Sequence, residues 1–282
     1  MDYHTFHLVS QYLHSNSYIF YALISKDGKD IINSIRKDNK YETKYKVLTS
    51  KSLLSYSHDI LNLVYNEKVI DTLFKIGDLD SIKYLHTKTD IIDSGYLDIS
   101  AEYGHLDIMK WLLEIGYPFD YYTFNAAARN GNLENMKWLL ENGCPFNPST
   151  FNPAALNGNL DNMKWLFKNR CKFGKCTFDR AAKNGNLENM KWLLENGCPF
   201  DDYTFSYTAF NGNLVNMKWL FENGCPYGDW TFRIAAKNGN LDNMKWLHAN
   251  GCPFGKGTFN YAKVNGNQEN IDWLIEKGCP QN

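Results

Sequence analysis

Gly131-Asn-Leu-Glu-Asn-Met-Lys-Trp-Leu-Leu-Glu-Asn-Gly-Cys-Pro-Phe146, followed by Thr150-Phe-Asn-Pro-Ala-Ala155, is the stretch that decides the fold, because it returns along the chain at an interval of 27 residues. Its leading glycines are Gly104, Gly131, Gly158, Gly185, Gly212, Gly239 and Gly266, and a degenerate copy, Gly77-Asp-Leu-Asp-Ser-Ile-Lys-Tyr-Leu85, precedes them in the same phase, making eight. Each copy reads as two short antiparallel helices. The second opens at an asparagine after the glycine (Asn132, Asn159, Asn186), a favoured N-cap, with an acid in its first turn, where the helix dipole favours it. It stops at Asn-Gly, as at Gly143, where glycine accepts a left-handed conformation, and proline follows two residues on. The first helix is expected to open at a recurrent threonine (Thr123, Thr150, Thr177, Thr204, Thr231, Thr258) and to run through small alanines that let backbones approach. A pair this short cannot bury its apolar stripe alone, so stability must come from stacking neighbours. The expected fold class is all-α, a helical solenoid.

The repeating Thr-Phe-x-x-Ala-Ala-x-Asn-Gly-Asn-Leu-x-x-Met-Lys-Trp-Leu-Leu-x-x-Gly resembles the ankyrin signature, Gly104-His-Leu-Asp107 most closely. The resemblance covers roughly residues 68–282. One departure matters: the period is 27 residues, against about 33 in the usual ankyrin repeat. The missing residues fall between Gly-Cys-Pro-Phe and Thr-Phe, where ankyrin repeats carry a projecting hairpin, so truncated finger loops and little or no strand are expected. Short units ending in Gly-Cys-Pro-Phe are similar to those of ankyrin proteins of large DNA viruses of amoebae. Abundant asparagine suits an AT-rich genome.

Residues 1–67 do not fit the repeat. They read as a helical cap for the array at 68–282. Alternatively, Val9-x-x-Tyr12-Leu13 and Tyr18 to Lys26 resemble the centre of an F-box, which would imply a substrate adaptor for a cullin ubiquitin ligase. The opening Leu-Pro pair of an F-box is absent.

The repeat turns single residues into columns. Six of the seven cysteines form one (Cys144, Cys171, Cys198, Cys225, Cys252, Cys279). Helices pack about 8–10 Å apart, too far for disulfide geometry, and no partner stands at zinc-ligand spacing. These thiols read as small buried hydrophobes in a reducing compartment. The tryptophan column (Trp111 to Trp273) lies off the stripe of Leu133, Met136, Leu139 and Leu140, Trp138 being roughly 140° from Leu133. Lateral packing against the adjoining unit is the favoured reading; an exposed aromatic ribbon is the other. The lysine before each tryptophan is expected to be offset by acids such as Glu141 at i+4.

Recognition should sit where the units differ. The resemblance implies that loops and first helices line a concave binding surface. The candidates are Tyr121, Tyr122, Arg180, Tyr203, Tyr207, Phe210, Trp230, Arg233, Ile234 and Tyr261, aromatic and arginine types being prominent among interface hot spots. Phe210 is the one most open to reassignment as a gap filler in the core.

Composition excludes several classes. Hydrophobic residues make up 44% of the 282, and the formal net charge is −1. Nucleic-acid or acidic-lipid binding would need clustered basic charge. The longest apolar run, Tyr18 to Ile24, is far short of a membrane span, and no signal peptide is visible. No P-loop, His-Glu-x-x-His or Gly-x-Ser-x-Gly motif is present, so neither an enzyme nor a cofactor is expected. The sequence reads as a non-catalytic scaffold that binds one or more proteins in the cytoplasm, of the host if the source is a virus.

Overall fold

A computed structural model describes residues 67–88 and 93–281, and within them every regular element is helical. The cap or F-box reading of residues 1–67 falls, all but its last residue, outside the described residues. The chain divides into two compact units, one ending at Ala127 and the other beginning at Ala128.

In the first unit, α1 (Glu67–Ile76) and α2 (Leu79–His86) are followed by α3 (Gly95–Tyr103), α4 (Leu106–Glu114) and the start of α5 (Tyr121–Asn130). Helix α1 packs on α3, with Phe74 stacked on Tyr96 at 4.3 Å between ring centroids. The Asp98 carboxylate accepts a 2.7 Å bond from the Thr123 hydroxyl.

The second unit continues with α6 (Leu133–Glu141), α7 (Phe151–Asn157), α8 (Leu160–Lys168), α9 (Thr177–Asn184), α10 (Leu187–Glu195), α11 (Asp202–Asn211), α12 (Leu214–Glu222), α13 (Asp229–Asn238), α14 (Leu241–Ala249), α15 (Thr258–Asn265) and α16 (Gln268–Glu276). The first helices pack in series, α7 on α9, α9 on α11, α11 on α13 and α13 on α15. Loops such as 143–147 carry no strand, as the short period predicts.

Asparagine does four separate jobs here, which gives its abundance a structural reason. At the start of the second helices from α6 onward it caps: Asn159 Oδ1 accepts from the backbone amides of Asp161 and Asn162. At the end it closes: Asn169 Nδ2 donates to the Trp165 carbonyl at 2.8 Å. At the end of the first helix it ties units together. Asn184 Nδ2 donates to the Leu156 carbonyl at 3.1 Å, one unit back. A side chain at Gly158, whose φ is 85°, would collide with that Asn184 amide, so glycine is required twice over. The fourth column is buried in the second helix: Asn162, Asn189 and Asn216 each donate a 2.7 Å bond to a glycine carbonyl of the preceding unit, Gly131, Gly158 and Gly185.

That last column corrects the expected helix stripe. Met136 and Leu139 are fully buried as expected, but Leu133 and Leu140 are only half-buried, and Asn135 takes the buried place between them. The threonines also differ from expectation. Helices α9 and α15 do open on them, but α11 and α13 open two residues earlier, and a 3-10 turn, Pro148–Thr150, precedes α7. The threonine is instead a buried tie. Thr204 Oγ1 accepts from the Asp201 amide, closing a capping box, and donates to Asp179 Oδ1 at 2.6 Å. Burial pushes the Asp179 carboxyl above its ordinary pKa, and the threonine bond pulls it back.

The tryptophans are half-buried from Trp138 onward, and where their ring contacts are resolved they pack laterally. Trp192 meets Phe167 edge-on at 5.6 Å and Phe173 at 6.2 Å, and Trp246 meets Phe221 at 5.4 Å, always in the preceding unit. The lysines pair backward rather than forward: Lys137 and Lys191 reach Glu134 and Glu188, at 2.8 and 2.9 Å, because the first-turn acid lies one turn away on the same face.

None of the seven cysteines is in a disulfide, and the column of six is buried. Cys225 and Cys252 thiols donate to carbonyls of the preceding loop, Asp201 and Gly228. Burial pushes the thiols of Cys171, Cys198, Cys225 and Cys252 up to about 12, which leaves them protonated and unreactive at neutral pH.

Candidate functional site

Helices α11 and α13 are held side by side by framework residues: Phe205 and Phe232 are fully buried, as are Ala209, Ala235 and Ala236. The positions between those anchors differ from unit to unit, and they open an apolar groove of about 570 Å³. Tyr203, Tyr207 and Phe210 line it from α11, one helical turn apart; Trp230 and Ile234 line it from α13. Asp202 and Ser206 are its polar lining.

Five of the ten candidates thus share one groove. Three are more exposed than large apolar side chains usually are, at 59% for Tyr203, 46% for Phe210 and 38% for Trp230. Phe210 is therefore no gap filler in the core. It stands in the last turn of the first helix, where neighbouring units have Lys183 and Lys237, and lines the groove together with Tyr207 one turn before it.

Two further candidates brace the groove. Arg233 lies 4.9 Å over the Trp230 ring and pairs with Asp229 at 2.5 Å, one turn back on α13. Tyr261 on α15 meets Trp230 edge-on at 6.2 Å. Gly255 makes room for this arrangement: a Cβ there would stand 2.7 Å from Arg233 Nε and 2.8 Å from the Asp229 carbonyl. Arg180 stands half-buried on α9 at the position that Tyr207 occupies on α11. Tyr121 and Tyr122 belong to the first compact unit, with their rings 4.1 Å apart, and take no part in the groove.

Sequence reasoning missed the structural cost of Arg233. At corresponding places in the first helices, Asp98, Asn152, Asp179 and Ser206 bond the hydroxyl of the threonine 25 residues further on, with Thr177 to Asn152 at 2.9 Å and Ser206 to Thr231 at 3.1 Å. A short polar side chain recurring 25 residues before each threonine was the signal. Arginine at 233 cannot accept, and both the buried Thr258 hydroxyl and Arg233 Nε are left without a partner.

Among the described residues no group of histidine, cysteine, aspartate or glutamate side chains has the arrangement of a metal site, and no helix is long and apolar enough to cross a membrane.

The first helix ending at Asn-Gly, the capped second helix and the buried inter-unit ties coincide with what a family comparison finds. Residues 123–204 match the family model of ankyrin repeats, in three copies. The described residues form a helical solenoid of ankyrin type. No curated protein matches the chain. The groove itself lies mostly beyond the matched residues, in repeats that keep the same framework at Thr231, Phe232, Asn238 and Gly239.

Proposed function

We propose that this chain is a non-catalytic scaffold that binds a protein partner through the face formed by its first helices, with the groove between α11 and α13 at the centre of contact. Ankyrin repeats generally mediate protein–protein interaction, and the observation that carries the reading is the exposed cluster of Tyr203, Phe210 and Trp230 around one apolar groove. Interface energy concentrates in such aromatic residues when they meet a partner's side chains in a desolvated pocket. Arg233 supports this by pinning Trp230 in a set orientation, which lowers the entropy cost of binding. Seven cysteines, none of them in a disulfide, suit the cytoplasm as the place where this happens.

A photo-crosslinking amino acid replacing Phe210 should capture a discrete partner in cells expressing the full chain. The same residue in place of Lys218, exposed on the second helix α12, should capture several-fold less. Equal labelling at both positions, or none at 210, refutes the reading.

A further inference from the structure

The groove has a polarity. Its acidic end is the first turn of α11, where Asp202 lines the groove and Asp201 caps the helix, accepting from the Tyr203 amide at 2.9 Å. Beyond its opposite end stand two lysines that do not themselves line it: Lys237, one turn after Ile234 on α13, and Lys183, which holds on α9 the place that Phe210 holds on α11. The backbones at that end are laddered together: Asn211 Nδ2 donates to the Lys183 carbonyl at 3.0 Å, and Asn238 Nδ2 to the Phe210 carbonyl at 2.8 Å. Lys183 and Lys237 are exposed, and neither makes an ion pair within the described residues. The one ion pair at the groove's wall, Arg233 with Asp229, adds no net charge. Lys175 and Lys256 stand in the loops of the adjoining units, outside the α11–α13 pair.

From Asp202 to Phe210 is eight residues of helix, roughly 12 Å at 1.5 Å per residue. An extended peptide covers that distance in about four residues. We infer that the groove takes an extended peptide segment of about four residues, with a basic side chain at the Asp202 end, two apolar or aromatic side chains over Tyr207, Phe210, Trp230 and Ile234, and an acidic side chain at the Lys237 end. This rests on the protein-binding reading and adds to it the chemistry and direction of the partner. A nucleic acid would meet Asp201 and Asp202 with its own negative charge, and a uniformly apolar partner would leave both charged ends unanswered.

The test is selection of random hexapeptides on the full-length protein, followed by affinity measurement by fluorescence polarisation. The expected consensus is basic–apolar–apolar–acidic. Lys237→Glu should weaken the selected peptide by about five-fold, the scale of one exposed charge pair, and a peptide whose acidic residue is replaced by lysine should recover that loss. Asp202→Lys should act in the same way on the basic residue. Both sites are exposed, and unchanged thermal midpoints will show that the variants fold. If selected peptides lose binding in Phe210→Ala but carry no charge order and ignore Lys237→Glu, the inference fails and the groove remains a protein-binding site. If peptides bind Phe210→Ala and Trp230→Ala undiminished, both readings fall. If no peptide is enriched, the inference fails and the crosslink at position 210 alone decides the broader reading.

Discussion

The repeat that opens at Thr177 and the one that opens at Thr204 share a framework and differ at nine of their 27 positions, four of them in the first helix. Phe178 and Phe205, Ala182 and Ala209, Met190 and Met217, and Leu193 and Leu220 are buried to within 1% exposure in both. Between those anchors, Asp179, Arg180, Ala181 and Lys183 of the first become Ser206, Tyr207, Thr208 and Phe210 of the second. Each exchange is compatible with stacking. Ser206 still reaches the next threonine, and the buried Thr208 hydroxyl bonds the Thr204 carbonyl at 3.2 Å, so no polar group is stranded. Stacking therefore constrains only the contacts between units, and the residues facing outward are free to build a site.

The hardest test of that division sets two phenylalanines against each other. Phe178→Ala empties a packed site beside Phe200 and should cost about 3–5 kcal/mol in urea denaturation. Phe210→Ala should stay within about 0.5 kcal/mol and yet abolish capture by the groove. If the two variants were equally destabilised, Phe210 would be framework and the separation of roles would fail.

Helix pairing, loop truncation and the cysteine column were legible in the sequence because each rests on local chemistry repeated in register: an asparagine cap, a glycine stop, a small thiol. The buried asparagine was not legible. Period arithmetic filled the stripe with Leu133 and Leu140, and a polar residue at 135 reads as surface until the carbonyl that satisfies it is known. That partner lies 31 residues back, in another repeat, as the bond from Asn216 to Gly185 shows. The site was legible as residue types, since five candidates meet in one groove, but not as an assembly. Nothing in the sequence puts Tyr121 and Tyr122 in a different compact unit from Trp230, or spends Arg233 on Asp229.

The buried column is itself uneven, and that sharpens the comparison. Asn216 donates to Gly185 at 2.7 Å, whereas the Asn243 amide is buried with neither its nitrogen nor its oxygen bonded. Asn216→Ala should cost about 1–3 kcal/mol, because it takes the donor away from the half-buried Gly185 carbonyl. Asn243→Ala should cost much less, since the desolvated amide it removes offsets the packing lost. Denaturation midpoints of the two variants give the answer directly, and equal losses would mean that Asn243 finds a partner in solution.

The smallest effect expected is the most informative about the groove. Asn152 accepts from the Thr177 hydroxyl at 2.9 Å, but at the corresponding place Arg233 leaves Thr258 and its own Nε unpaired. Arg233→Asn restores the acceptor and removes the orphan nitrogen, a gain of about 1 kcal/mol. It also forfeits the cation stacked on Trp230 and the pair with Asp229, worth about 0.5 kcal/mol at a partly exposed site. The net should be a slightly higher denaturation midpoint together with weaker binding in the groove, because Trp230 is no longer pinned. Such an opposition is the mark of a residue kept for function at the expense of stability. A lower midpoint would show instead that the Asp229–Arg233–Trp230 cluster stabilises the stack, and that position 233 belongs to the framework after all.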